Sequence, residues 1–213
     1  MDKYLSIITN FGCHYKCPYC IVKENNLHIP KTTLEGLDSL EYEIKKNECN
    51  WVSISGGGDP LHEYEKHKDW YLKLYDIIKR TGAKLELHTS YYESEFPYYY
   101  CDRVVYHVRT TDINELIKIT RHGKEITRIV MIATENLSTT DFIKMSRYVD
   151  MSNDIDELSF RQLVNNKYET QYFNHDLLEW GHRHRLWYYI DQNDYNLYYA
   201  ENEVSFKYED FKK

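Results

Sequence analysis

Three of the chain's five cysteines fall within eight residues, Cys13-His14-Tyr15-Lys16-Cys17-Pro18-Tyr19-Cys20. Thiolates at offsets of four and three converge on one point only if something cationic holds them there, so the spacing points to a metal or a cluster. Three thiolates instead of four would leave one position open, and an open position is where bound metals do chemistry. A second chemistry-bearing stretch is Gly56-Gly57-Gly58-Asp59-Pro60. Glycines in such a run let main chain approach a ligand closely.

Other readings of the cysteines have to be weighed. Cys17-Pro18-Tyr19-Cys20 alone is a dithiol of the glutaredoxin kind, acting through a low-pKa thiol. That reading leaves Cys13 without purpose, needs a chain about half this size, and lacks a proline between Pro30 and Pro60 to face the dithiol. A structural zinc site completed by His14 or His28 would make the chain a binding module, yet no second Cys/His doublet is evident. Three buried cysteines on one helix are undercut by Gly12 and Pro18. Cys49 and Cys101 stand apart and read as small buried residues.

The elements that must position these loops alternate along the chain. Strands are expected at Tyr4 to Thr9, Trp51 to Ser55, Lys84 to Ser90, Arg103 to Arg109, Ile126 to Thr134 and Asp156 to Val164. Helices are expected at Thr33 to Lys46, on the stripe Leu34, Leu37, Leu40 and Ile44, then along Trp70, Leu74, Ile77 and Ile78 to a stop near Gly82, and at Asp112 to Thr120 and Thr139 to Val149. Strand-helix units in this order imply a parallel sheet with right-handed crossovers. The cysteine loop then follows the first strand and the glycine run the second.

Face alternation says more. Glu86, His88 and Ser90 share one face of the third strand, and His107 and Arg109 one face of the fourth. Strands covered on both faces read as continuous apolar runs, so a polar face means either a curved sheet around a wet interior or a sheet with one solvated face. After Val164 the pattern changes. Trp180, Trp187, Tyr188, Tyr189, Tyr198 and Tyr199 surround Asp191-Gln192-Asn193-Asp194, which reads as a hairpin loop in a cap (residues 165–213) on a core of residues 1–164. Covering apolar edges is the ordinary use of such aromatics, and stacking on a planar substrate the functional one.

Composition sets the outer limits. At 213 residues, 42% apolar, with a net charge of −7, the sequence reads as globular, and a broad cationic surface for extended nucleic acid is not expected. No window approaches the ~20 apolar residues of a membrane span. With no export signal at Met1-Asp2-Lys3-Tyr4 and an odd cysteine count, a cytoplasmic location is expected.

Cys-x3-Cys-x2-Cys after a first strand, followed some 35 residues later by GGGDP after the second, resembles the radical S-adenosylmethionine (radical SAM) superfamily. The resemblance covers residues 4 to 164 and implies an α/β fold, a partial (βα)6 barrel. It implies a [4Fe–4S] cluster held by Cys13, Cys17 and Cys20, with one iron left for the amino and carboxylate groups of S-adenosylmethionine (SAM). One electron from the cluster would cleave SAM to methionine and a 5′-deoxyadenosyl radical that takes hydrogen from an unactivated carbon. By family position Gly56, Gly57 and Gly58 would meet the methionyl ammonium, Tyr19 would lie near the adenine, and Asp59 would settle the turn. The family's loop is commonly GGEP, so Asp59 has a different reach. Ser90, Arg109, Arg161 and Gln162 stand where ribose or carboxylate contacts are made, with ordinary salt bridges the alternative.

The same resemblance implies a flavodoxin- or ferredoxin-type electron donor. Peptide-modifying members with auxiliary clusters need further cysteines, and none follows Cys101. A small polar, nucleoside-like substrate is therefore expected, paired by His88, His107 or Arg161, with a glycyl-radical-enzyme activase as the alternative.

Overall fold

The computed structural model describes residues 2–24, 26–109, 113–134, 137–164, 169–172, 187–190 and 197–211. Six parallel strands lie side by side in chain order: β1 (Tyr4–Thr9), β2 (Trp51–Gly56), β3 (Lys84–Thr89), β4 (Arg103–Val108), β5 (Ile126–Ala133) and β6 (Glu157–Val164). All six follow the expected boundaries within one residue. After a single turn α1 (Ile21–Glu24), the main helices are α2 (Leu40–Lys46) and α3 (Lys68–Thr81), with a second single turn α4 (Ile113–Leu116) before α5 (Thr139–Met151). Helix α3 buries Trp70, Tyr71, Leu74, Tyr75 and Ile77, then stops at Gly82, whose φ of 69° suits a residue without Cβ. Helix α5 starts on a reciprocal cap between Ser138 and Asp141. These helices pack on one face of the sheet, with Leu5, Ile7, Val52, Ile54, Leu85, Leu87 and Phe160 in a common core with Leu40, Leu74 and Phe142.

Two helices are shorter than the periodicity predicts. In place of one helix from Thr33, a 3-10 turn at Glu35–Leu37 precedes α2, and Leu34 is exposed. The carbonyl of Gly36 accepts bonds from the Tyr199 hydroxyl (2.7 Å) and the Asn202 N–H (3.2 Å), contacts from the far end of the chain that compete with helix propagation. The helix expected from Asp112 shrinks to α4, after which Lys118 and Ile119 bond three residues back, not four; Asp112 itself lies outside the described residues.

The aromatic tail is not a hairpin. Strand β8 (Trp187–Ile190) adds in parallel to β6, whereas β9 (Leu197–Ala200) adds in parallel to β1 at the opposite end of the sheet and pairs with β10 (Glu203–Ser205). A short β7 (Thr170–Tyr172) also pairs with β6, antiparallel. Each aromatic run satisfies an open parallel edge, which a hairpin of the two would have left bare. Asp191 to Asp194 and Trp180 lie outside the described residues. The seven Cα steps from Ile190 to Leu197 reach at most about 25 Å, yet eight strands laid flat would separate β8 from β9 by about 34 Å. The sheet is therefore bent, with its two edges drawn toward each other.

The concave face is the polar one. Glu86 is 2% and His88 5% exposed, so this face is an interior and not a solvated surface. Across it, Arg103 of β4 bonds the Tyr4 hydroxyl of β1 (3.3 Å), three strands away. Ile8, Leu27, Ile29, Ala200 and Phe211 form a separate apolar cluster at one side. Among the described residues no helix is long and apolar enough to cross a membrane.

Candidate functional site

A cavity of about 250 Å³ opens at the carboxyl ends of the strands, where open α/β sheets hold their ligands. Cys13, Cys17 and Cys20 line it from one side and Gly56, Gly57 and Gly58 from another. The two loops are fastened together by main chain. Gly57 N–H donates to the Thr9 carbonyl (2.7 Å) and Asp59 N–H to that of Gly12 (2.8 Å). The glycines are required by that closeness: a Cβ on Gly58 would stand 2.0 Å from the Gly12 oxygen, and one on Gly56 would stand 1.8 Å from the Gly58 oxygen.

Cys13 is exposed and Cys17 and Cys20 half-buried. The Tyr15 N–H donates to the Cys13 sulfur (3.4 Å), and Cys20 opens the single turn α1, its carbonyl accepting from Glu24 N–H (2.9 Å). Burial pushes the Cys17 thiol up, against the pull of Arg109 and Lys23. Both cations also line the cavity, and a cation near a thiol favours the thiolate that metal binding needs. Among the described residues no group of three His, Cys, Asp or Glu side chains is gathered so as to hold a metal ion. Cys13, Cys17 and Cys20 nonetheless line one cavity, and thiolates are the donors that iron–sulfur clusters take. Cys49 and Cys101 are buried elsewhere.

Asp59 turns inward. Only 3% exposed, its carboxylate accepts from Leu61 N–H (3.0 Å), the Thr89 hydroxyl (2.8 Å) and Ser90 N–H (2.8 Å). Burial raises its pKa although these donors pull it down. The carboxylate is thus committed to bracing the end of β2 against the end of β3. Ser90, whose main chain it holds, reaches the cavity, as does Tyr19, whose hydroxyl burial pushes up. Arg109 lies with its guanidinium 3.5 Å from the ring centroid of Tyr15, a partner that sequence reasoning did not single out. Val130 and Ile132 supply an apolar wall from β5, legible in the sequence only as ordinary core alternation.

Arg161 stands on β6 in register with Ile132 and close enough to His88 and His107 to disfavour their protonation, and it is not among the described cavity-lining residues. The side chain of Gln162 lies outside the described residues. His107 reaches the cavity and its Nε2 meets Nδ1 of His88 at 2.9 Å; Nε2 of His88 meets Glu86 at 2.6 Å; and Glu86 meets Arg103 at 2.7 Å. Burial opposes the charge on Glu86, but His88 and Arg103 outweigh it and hold the carboxyl well below its usual range. Arg103 lies over the Trp51 ring at 4.6 Å and beside Glu157, which accepts from Arg128 (2.6 Å). The sequence offers His88, His107 or Arg161 as alternative substrate partners; the connection between the two histidines is not visible from alternation alone.

No family profile and no curated protein sequence matches the chain. Solved structures do: fourteen chains match. One is Streptococcus suis SuiB, solved bound to the precursor peptide SuiA, with a TM-score of 0.63 and 16% identity. The match covers 89% of this chain and 49% of SuiB, so the chain spans about half the length of that neighbour. At this identity the likeness is one of fold: an α/β architecture with a mostly parallel sheet.

Proposed function

We propose that the chain is a radical SAM enzyme built on an incomplete (βα)6 barrel of residues 1–164, to which residues 165–213 add edge strands. The observation that carries this reading is the single cavity lined jointly by the three spaced cysteines and the glycine turn. The α/β fold shared with SuiB is compatible with it. Cys13, Cys17 and Cys20 would hold a [4Fe–4S] cluster, and Gly56–Gly58, Tyr19, Ser90 and Arg109 would receive SAM. When bound, the pair supplies one-electron chemistry that ends in hydrogen removal from an unactivated carbon. The chain's own part is to aim and to shield: main chain at the glycine turn, apolar walls from Val130 and Ile132, and Asp59 as the brace between the ends of β2 and β3.

The buried polar interior supports a small polar substrate. A peptide is the second reading, favoured by the precursor peptide bound to SuiB. The deciding experiment is anaerobic reconstitution with iron and sulfide, reduction with dithionite, addition of SAM, and chromatography for 5′-deoxyadenosine. About four irons per chain with slow 5′-deoxyadenosine release is expected. One zinc, or no metal with a reducible Cys17–Cys20 pair, would replace the reading with a scaffold or a dithiol exchanger.

A further inference from the structure

The hydrogen-bonded series on the concave face has one end at the cavity, and its chemistry fixes which ring nitrogen of His107 keeps a lone pair. Glu86 is an ionised carboxylate between Arg103 and His88, so it can only accept. The nitrogen of His88 that meets it, Nε2, therefore carries a proton. In a neutral His88 the lone pair is then on Nδ1, and the nitrogen 2.9 Å away, Nε2 of His107, must donate to it. The lone pair of a neutral His107 is left on Nδ1, and His107 lines the cavity. Both rings are kept neutral: burial lowers each pKa, for His107 with His88 and Arg161 adding to it, and for His88 against the opposing pull of Glu86. The charged groups facing the pair are Glu86 on β3, Arg103 on β4, Arg128 on β5, and Glu157 and Arg161 on β6.

We propose that His107 is the proton acceptor of the cavity, presenting an unprotonated Nδ1 to an N–H or O–H of the substrate, with His88 and Glu86 as positioning residues that fix its tautomer. The proposal rests on reading this cavity as the active site and adds that the substrate enters as a hydrogen-bond donor. Where the donor gives up its proton, the substrate N–H or O–H bond breaks and an Nδ1–H bond forms on His107. The Nε2–H of the His107 imidazolium so formed still donates to Nδ1 of His88, whose Nε2–H donates to the Glu86 carboxylate, so the proton stays on His107 and its charge is countered through His88 by Glu86. No electron moves in this step.

Long-range 1H–15N spectra of the ¹⁵N-labelled chain, without metal or SAM, read the tautomers directly. His88→Gln and His107→Gln assign the two signals among the ten histidines. At pH 7.5 both rings are expected to be protonated on Nε2 and bare on Nδ1, and Glu86→Gln is expected to turn the His107 signal into a mixture of tautomers. If Glu86→Gln does not fold, His88→Gln, which keeps the Glu86–Arg103 pair, should release the His107 tautomer in the same way. Diethyl pyrocarbonate, which acylates an unprotonated and accessible imidazole nitrogen, should modify His107 and spare His88. A His107 protonated on Nδ1, a tautomer unmoved by either variant, or a His107 inert to the reagent would each overturn the proposal. Iron loading is measured on separate samples, so a chain that takes no iron yet has this tautomer pattern removes the radical SAM reading alone.

Discussion

Gly58 has no room for a side chain, because a Cβ would sit 2.0 Å from backbone that cannot swing aside. Gly58→Ala should cost about 1–3 kcal/mol, the usual penalty of overpacking, read by thermal unfolding. It should also pull the glycine turn off Gly12, and with it the cysteine loop. The cysteines divide differently. Cys13→Ala, Cys17→Ala or Cys20→Ala should abolish cluster iron after reconstitution, while Cys49→Ala and Cys101→Ala should leave it unchanged; iron lost with Cys49→Ala would demand another ligand set. At this scale the sequence was informative wherever chemistry is carried by residue type and spacing, as with the three thiols and three glycines. It was silent where a role depends on which neighbour a side chain meets. Asp59 could not be known to face inward, nor His107 to lean on His88, because their partners lie 19 to 31 residues away in the chain.

Among the elements, the turn between β9 and β10 does more than reverse the chain. Glu201 and Asn202 both have positive φ, and Glu201 accepts from Thr33 while Asn202 accepts from Ser39 N–H (2.8 Å) at the start of α2 and donates to Glu35 (2.9 Å). Asn202→Ala should lower stability by about 2 kcal/mol through its lost side-chain bonds and a left-handed backbone. Asn202→Gly should recover the backbone part, so the difference between the two variants in denaturant midpoints isolates the strain. Strand positions were legible because alternation reports burial on each face directly. The break at Leu37 was not, because the bonds that occupy the Gly36 carbonyl come from Tyr199 and Asn202. Periodicity reports local preference and is blind to a competitor from the other end of the chain.

At the scale of the whole molecule, the buried charges set how the fold meets acid. Glu86 has a folded pKa below its ordinary value near 4.5, so its contribution is complete above that value and drains away as pH falls beneath it. Asp59 acts in the opposite sense. Its folded pKa lies above the ordinary 3.8, so between those values protonation favours the folded state. Denaturant titrations from pH 7 to 3 should give falling stability below about pH 4.5, and Glu86→Gln should flatten that slope. The same variant should lower the plateau at neutral pH by roughly 3–5 kcal/mol, because Arg103 loses the nearer of its two carboxylate partners. The sheet order of the first six strands followed from their sequence of appearance. The destination of the tail did not, since its aromatic runs carry no mark of which edge they complete.

That destination has a consequence in time. β1 leaves the ribosome long before β9, yet its outer edge is closed only by β9, through pairs such as Leu5 with Leu197. At roughly 5–20 residues per second, some 10–40 s of synthesis separate the two strands. Throughout that interval the nascent chain carries an open, apolar parallel edge beside an unfinished interior, the kind of surface on which strands of other chains pair.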